Sequence, residues 1–130
     1  MTQAMTVPTN TFRPPIKGKG WDTFLPLGPY LVEGEIEDPH ALGLRTFVNG
    51  ELRQEGRTAD QVTTLPAFIE YLSAFMTLEP GDILMTGTPA GLSHIFPGDS
   101  IRLEIDGLGA LESTVVEEQV ASKGEEVAAL

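Results

Sequence analysis

Two short segments carry groups of the kind that hold an anionic oxygen. Gly87-Thr88-Pro89 sets a hydroxyl and successive backbone N–H groups in a Gly/Pro turn, just after the apolar run Ile83-Leu84-Met85-Thr86. Donors clustered at the end of a buried strand can stabilise negative charge on an oxygen. Lys19 is flanked by Gly18 and Gly20 and followed by Trp21, which suits a positioned ammonium. A turn threonine and a solvated lysine fit the same two patterns.

The remaining titratable groups offer less. His40 lies in the turn Glu37-Asp38-Pro39-His40 and reads as a surface residue. His94 follows the 87–91 loop without a carboxylate nearby in sequence. Glu33, Glu35 and Glu37 are spaced two apart, so on a strand they share one face and can chelate a hard cation. The interleaved Gly34 and the following Asp38-Pro39 favour a solvated rim instead. There is no Ser-His-Asp arrangement and no P-loop. Zero cysteines exclude disulfides, thiolate metal sites and a Cys nucleophile, and fit a reducing compartment.

Charge narrows the class of partner. The 130 residues hold 8 Lys+Arg against 19 Asp+Glu, a net charge of -11. That balance argues against nucleic acid, which needs clustered basic groups on phosphates. No apolar run approaches the ~18 residues of a membrane span, and the start lacks a secretory pattern. A soluble, cytoplasmic protein is expected. The first 21 residues carry Arg13, Lys17 and Lys19 and no acid, so a cationic arm precedes an acidic body.

The elements that must position these groups can be read from local patterns. Residues 1–16, ending in Arg13-Pro14-Pro15-Ile16, form a flexible, extended arm, since consecutive prolines exclude a helix. Lys17-Gly18-Lys19-Gly20 reads as loop, and residues 21–30 as an extended segment crossing a core. Asn49-Gly50 between two alternating runs predicts a two-residue hairpin. Thr64 caps a predicted helix over 65–76, with Leu65, Phe68, Ile69, Leu72 and Met76 on one apolar stripe. Ile83 to Thr86 reads as a short buried strand. Ile101, Leu103 and Ile105 alternate with charged residues, predicting a strand that turns at Gly107-Leu108-Gly109 into a partner over 110–116. Residues 117–130 read as an acidic tail. The sum is one domain over 17–116, mainly β with one helix.

Three segments together resemble a known family. They are Lys19-Gly20-Trp21-Asp22-Thr23-Phe24-Leu25-Pro26-Leu27-Gly28-Pro29, Val48-Asn49-Gly50-Glu51-Leu52-Arg53-Gln54-Glu55-Gly56-Arg57-Thr58, and Met76-Thr77-Leu78-Glu79-Pro80-Gly81-Asp82-Ile83-Leu84-Met85-Thr86-Gly87-Thr88-Pro89-Ala90-Gly91. In this order they resemble the C-terminal half of the fumarylacetoacetate hydrolase family over about residues 13–116. The wording is most like the hydroxyheptadienedioate and carboxymethyl-hydroxymuconate isomerase branch.

The resemblance implies a mixed β roll, incomplete at the N-terminus, usually dimeric and using Mg²⁺ or Mn²⁺. It implies a 2-oxo or enol dicarboxylate substrate from aromatic catabolism, isomerised or decarboxylated through an enolate. An acylpyruvate C–C hydrolase is the alternative. Lys19 matches the family lysine beside the metal, Gly87 and Thr88 the substrate-binding turn, and Thr23 a position near the cation. Gln54 falls in the family hairpin and is read as structural.

The family's metal carboxylates and acid/base helix lie upstream of that lysine. Here 18 residues precede Lys19, and none is Asp, Glu or His. The resemblance therefore implies that the metal ligands lie outside this chain. Three arrangements fit: a site completed by a second chain carrying those ligands, an inactive truncated relative acting as an interaction module, or a homo-oligomer using Glu33 and Glu35.

Overall fold

The structure is a computed structural model that describes residues 19–117. The expected arm over 1–16 lies outside the described residues, as does all of the expected tail beyond Glu117. Four strands form one sheet: β1 (Gly43–Val48), β2 (Glu51–Arg57), β3 (Ser100–Ile105) and β4 (Gly109–Thr114). Their spatial order is β2-β1-β3-β4, and every ladder is antiparallel. A 3-10 turn (Thr58–Asp60) and one helix, α1 (Leu65–Ser73), lie between β2 and β3. Among the described residues the expectation of a β-rich chain with one full helix holds.

The hairpin forms where the turn chemistry demands it. Asn49 and Gly50 both take positive φ (52° and 80°), the condition for a tight two-residue connection. The Asn49 side chain does more than tolerate that backbone. Its Nδ2 donates to Asp99 Oδ1 at 2.8 Å and its Oδ1 accepts from the Ser100 N–H at 2.9 Å, tying the turn to the start of β3. Asp99 Oδ2 also accepts from the Phe96 N–H at 2.7 Å. These bonds hold the Asp99 carboxyl below the usual carboxylate range, the Asn49 bond contributing most.

Register sorts the sheet into two faces, because directly opposed residues share a side. Leu44, Thr46 and Val48 oppose Ile105, Leu103 and Ile101. Leu103 in turn opposes Leu111. Across the other ladder, Leu44 faces Gly56 and Thr46 faces Gln54. One face is thus apolar except at Thr46, Ser113, Gln54 and, at its edge, Glu51 opposite Val48. The opposite face is charged: Arg45 pairs with Glu55 at 3.4 Å, and Arg102 pairs with Glu104 and with its cross-strand partner Glu112.

The apolar face is only partly covered. Among the described residues Val48 is the one buried hydrophobic side chain, while Leu103 and Ile105 stay 38% and 37% exposed in the middle of the sheet. A sheet with an apolar face needs a second layer against it. α1 buries none of its residues; Leu65, Phe68 and Leu72 are half-buried and Ile69 is exposed.

Several expectations need correction for the same reason. Residues 83–86 are neither a strand nor buried, with Ile83 and Met85 more than half exposed. A strand exists only against a partner, and no described segment pairs with this one. Residues 21–30 do not cross a core: they form exposed turns and bends, with the Phe24 N–H donating to the Trp21 carbonyl. Lys19 has helical backbone rather than loop.

The helix also departs from expectation at both ends. It stops at Ser73, whose hydroxyl bonds back to the Ile69 and Glu70 carbonyls, a competition that weakens helices. Thr64 occupies the N-cap position without a side-chain bond. The start is capped instead by His40, whose Nε2 accepts from the Leu65 N–H at 3.2 Å. His40 is itself held by Asp38, which accepts from its backbone N–H at 2.9 Å. The expected surface histidine is therefore a joint between the segment before β1 and α1.

Candidate functional site

The 87–91 loop is fastened to the apolar face of β2. Gln54 Nε2 donates to Thr88 Oγ1 and to the Pro89 carbonyl, both at 2.9 Å. Two glycines permit this approach. An ideal Cβ at Gly56 would lie 2.8 Å from the Pro89 Cβ, and one at Gly91 would lie 2.1 Å from the Arg53 carbonyl oxygen. Gly91 also sits at φ +102°, which an L side chain rarely adopts. Glycine inside a strand marks such a close backbone approach.

The irregular register of β2 helps aim Gln54. Thr46 opposes Gln54 while Phe47 opposes Leu52, so Arg53 is an extra residue in the ladder. A bulge of this kind re-aims the side chains beside it. Gln54 is thereby turned onto the apolar face next to the loop. Sequence reasoning treated Gln54 as structural. The signals available were a strand glycine two residues on and an amide among apolar partners.

Gly87 takes φ +97° in the turn that presents Thr88. The Thr88 hydroxyl is exposed and, among the described residues, donates to no acceptor. Lys19 is exposed, and its ammonium makes no ion pair or hydrogen bond among the described residues. The structure thus joins Thr88 to Gln54, Pro89 and β2, and joins Lys19 to none of them directly. Thr23 stands at φ 69° in an exposed turn, a conformation costing a β-branched residue about 1–2 kcal/mol.

The donors present do not make a divalent-metal site. Mg²⁺ or Mn²⁺ takes about six oxygen ligands with carboxylates among them. Lys19 and Thr88 supply a cation and a neutral hydroxyl. Glu33 and Glu35 are exposed around Gly34 (φ +74°), and no group of three Asp, Glu, His or Cys among the described residues can hold a metal ion. Likewise, no described helix is long and apolar enough to cross a membrane.

Known proteins place this architecture. The family described as fumarylacetoacetate (FAA) hydrolase C-terminal matches residues 1–116. A 4-hydroxyphenylacetate degradation bifunctional isomerase/decarboxylase of Salmonella dublin is 54% identical over 114 residues, covering 87% of this chain and 27% of that protein. The maleylpyruvate hydrolase of Sphingobium sp. SYK-6, solved with manganese(II) and pyruvate, is 43% identical with a TM-score of 0.74, covering 76% of this chain and 38% of that one. The 5-carboxymethyl-2-hydroxymuconate delta-isomerase of Mycobacterium smegmatis is 42% identical with a TM-score of 0.74, covering 78% and 40%. The chain spans less than half the length of each of these enzymes. With its antiparallel sheet and its braced 87–91 loop, it belongs to the fumarylacetoacetate hydrolase family, within the C-terminal part that defines the match.

Proposed function

We propose that this chain supplies the Lys19/Thr88 half of a divalent-metal-dependent isomerase/decarboxylase site. The substrate class is a 2-oxo or enol dicarboxylate from aromatic-compound catabolism. Carboxylates from outside the described residues hold the Mg²⁺ or Mn²⁺, in a second chain or another part of the same protein. The Thr88 hydroxyl and the Gly87–Thr88 backbone bind a carboxylate oxygen. The Lys19 ammonium faces the enolate oxygen, where fixed positive charge stabilises the developing anion. Thr23 stands near the cation.

The observation that carries this reading is the mismatch between a braced Thr88 loop and the absence of a metal-ligand set among the described residues. The exposed Thr88 hydroxyl and the neighbouring Pro89 carbonyl are each held by a 2.9 Å hydrogen bond from Gln54, yet no described carboxylates are grouped to serve a metal. The half-open apolar sheet face agrees with it, since a covering layer would remove Leu103, Ile105, Ile83 and Met85 from water. The likeness to a maleylpyruvate hydrolase favours a second reading, C–C hydrolysis of an acylpyruvate, which would use the same enolate-stabilising groups.

The test is co-expression with a polypeptide carrying the family's metal carboxylates, followed by assays on both substrate classes. The expected result is a stable complex whose turnover requires Mg²⁺ or Mn²⁺ and falls at least a hundredfold in Lys19→Met. No complex and no metal-dependent turnover would contradict it and leave a non-catalytic interaction module. Loss of metal binding in Glu33→Ala/Glu35→Ala would favour the homo-oligomer instead.

A further inference from the structure

Gln54 fixes the direction in which Thr88 can hydrogen-bond. A carbonyl oxygen only accepts, so the Gln54 atom 2.9 Å from the Pro89 carbonyl must be the amide nitrogen. That same nitrogen lies 2.9 Å from Thr88 Oγ1. Its two hydrogens are spent on two acceptors, and the threonine oxygen must receive one of them. The Thr88 hydroxyl proton is then left to point outward, where no described residue accepts it. With one lone pair occupied by the Gln54 N–H, the hydroxyl is aimed by that bond and keeps its proton for an outside acceptor.

We infer that Gln54 is a positioning residue of the substrate site, which keeps the Thr88 proton free to be donated to an acceptor oxygen such as a carboxylate or enolate. The inference rests on the reading of Thr88 as a substrate contact and extends it to the residue that aims its proton. The placement of Gln54 supports a purpose beyond packing. It stands opposite Thr46 on a face that also carries Leu44, Val48, Ile101, Leu103 and Ile105, where an amide is costly unless its bonds matter. Its charged neighbours on β2 are engaged elsewhere, Arg53 with Glu51 and Glu55 with Arg45.

The test compares Gln54→Glu, Gln54→Met, Thr88→Val and Thr88→Ser in the assembled, metal-loaded protein, with calorimetric titration of pyruvate as probe. An ionised glutamate only accepts, so it would draw the Thr88 proton inward and away from the ligand. At pH 7.5, Gln54→Glu and Thr88→Val each weaken pyruvate binding about tenfold, the worth of one hydrogen bond. Thr88→Ser stays within about twofold because the hydroxyl survives. Adding Gln54→Glu to Thr88→Val costs nothing more. Gln54→Met, which offers no strong acceptor to draw the Thr88 proton inward, weakens binding less than Gln54→Glu.

A Gln54→Met defect as large as that of Gln54→Glu would mean the residue only packs the loop, and would overturn the inference. Normal binding in Gln54→Glu and Gln54→Met beside a defective Thr88→Val would overturn it while leaving the site intact. Normal binding in Thr88→Val would remove the site reading, and this inference with it.

Discussion

Replacing Gly91 by alanine tests whether the close approach of loop to strand is what holds Thr88. The new Cβ would sit 2.1 Å from the Arg53 carbonyl oxygen, a backbone atom that cannot swing aside. Carbon–oxygen contacts are comfortable from about 3.3 Å, so loop and strand must part by about 1 Å. Both Gln54 bonds then stretch from 2.9 Å to about 3.9 Å, beyond any useful hydrogen bond. Losing two such bonds costs about 0.5–1.5 kcal/mol each, the more exposed Thr88 bond at the lower end. Placing a side chain at φ +102° adds about 1–2 kcal/mol. The loop should therefore be destabilised by about 2–4 kcal/mol. Amide hydrogen exchange read by mass spectrometry on peptides spanning 86–92 reports it directly, as exchange faster by about one and a half to three orders of magnitude. Gly98→Ala is the control, since it carries a similar φ (+96°) but has nothing within 4 Å of its Cβ. It should show the conformational cost alone, with the 86–92 peptides unchanged. Gly91→Ala with parental exchange in that segment would refute the reasoning.

Other elements make equally definite predictions. The folded chain holds the Asp99 carboxyl below its unfolded value, so its contribution is present above the ordinary carboxylate range and lost as pH falls through the lowered value. Melting temperature should thus decline more steeply below pH 4 in the parent than in Asp99→Asn; parallel declines would count against the Asn49–Asp99 bond. His40→Ala removes the acceptor at the start of α1 and should cost about 1 kcal/mol, seen as faster exchange in residues 65–69. Unchanged exchange there would return His40 to a plain surface role. Thr23→Gly relieves the φ 69° backbone and should stabilise the fold by about 1 kcal/mol. If Thr23 stands near the cation, the same change weakens Mn²⁺ affinity in the assembled protein; a stabilised protein with normal affinity would make it only a strained turn.

What the sequence revealed depended on how local each cause was. Asn49-Gly50 predicts its hairpin because the required positive φ is a property of those two residues. The alternation of Ile101, Leu103 and Ile105 located β3, and Gly107-Leu108-Gly109 the turn into β4. Ile83 to Met85 looked like a buried strand because hydrophobicity reports what a segment is suited to meet. The partner it would meet is not among the described residues, so it stays irregular and exposed. The helix end was misjudged because Ser73 competes for carbonyls that the apolar stripe alone does not reveal. Lys19 and Thr88 were nominated by weak patterns and drew their roles from the family resemblance. Gln54 reads from sequence as structural, and its bond to Thr88 could not be foreseen because it depends on the register of β2 against β1 and on a loop more than thirty residues away. The roles of His40 and of the Asn49 amide have the same origin in contacts distant along the chain.

The central claim is that Lys19 and Thr88 serve one bound 2-oxo acid while carboxylates from elsewhere hold the metal. The most direct measurement is a crystal structure of the assembled protein with Mn²⁺ and pyruvate. The account predicts Lys19 Nζ and Thr88 Oγ1 each within about 3.2 Å of an oxygen on the same pyruvate, with no metal ligand drawn from residues 19–117. Finding the two side chains on separate surfaces, or Mn²⁺ held by Glu33 and Glu35, would contradict it.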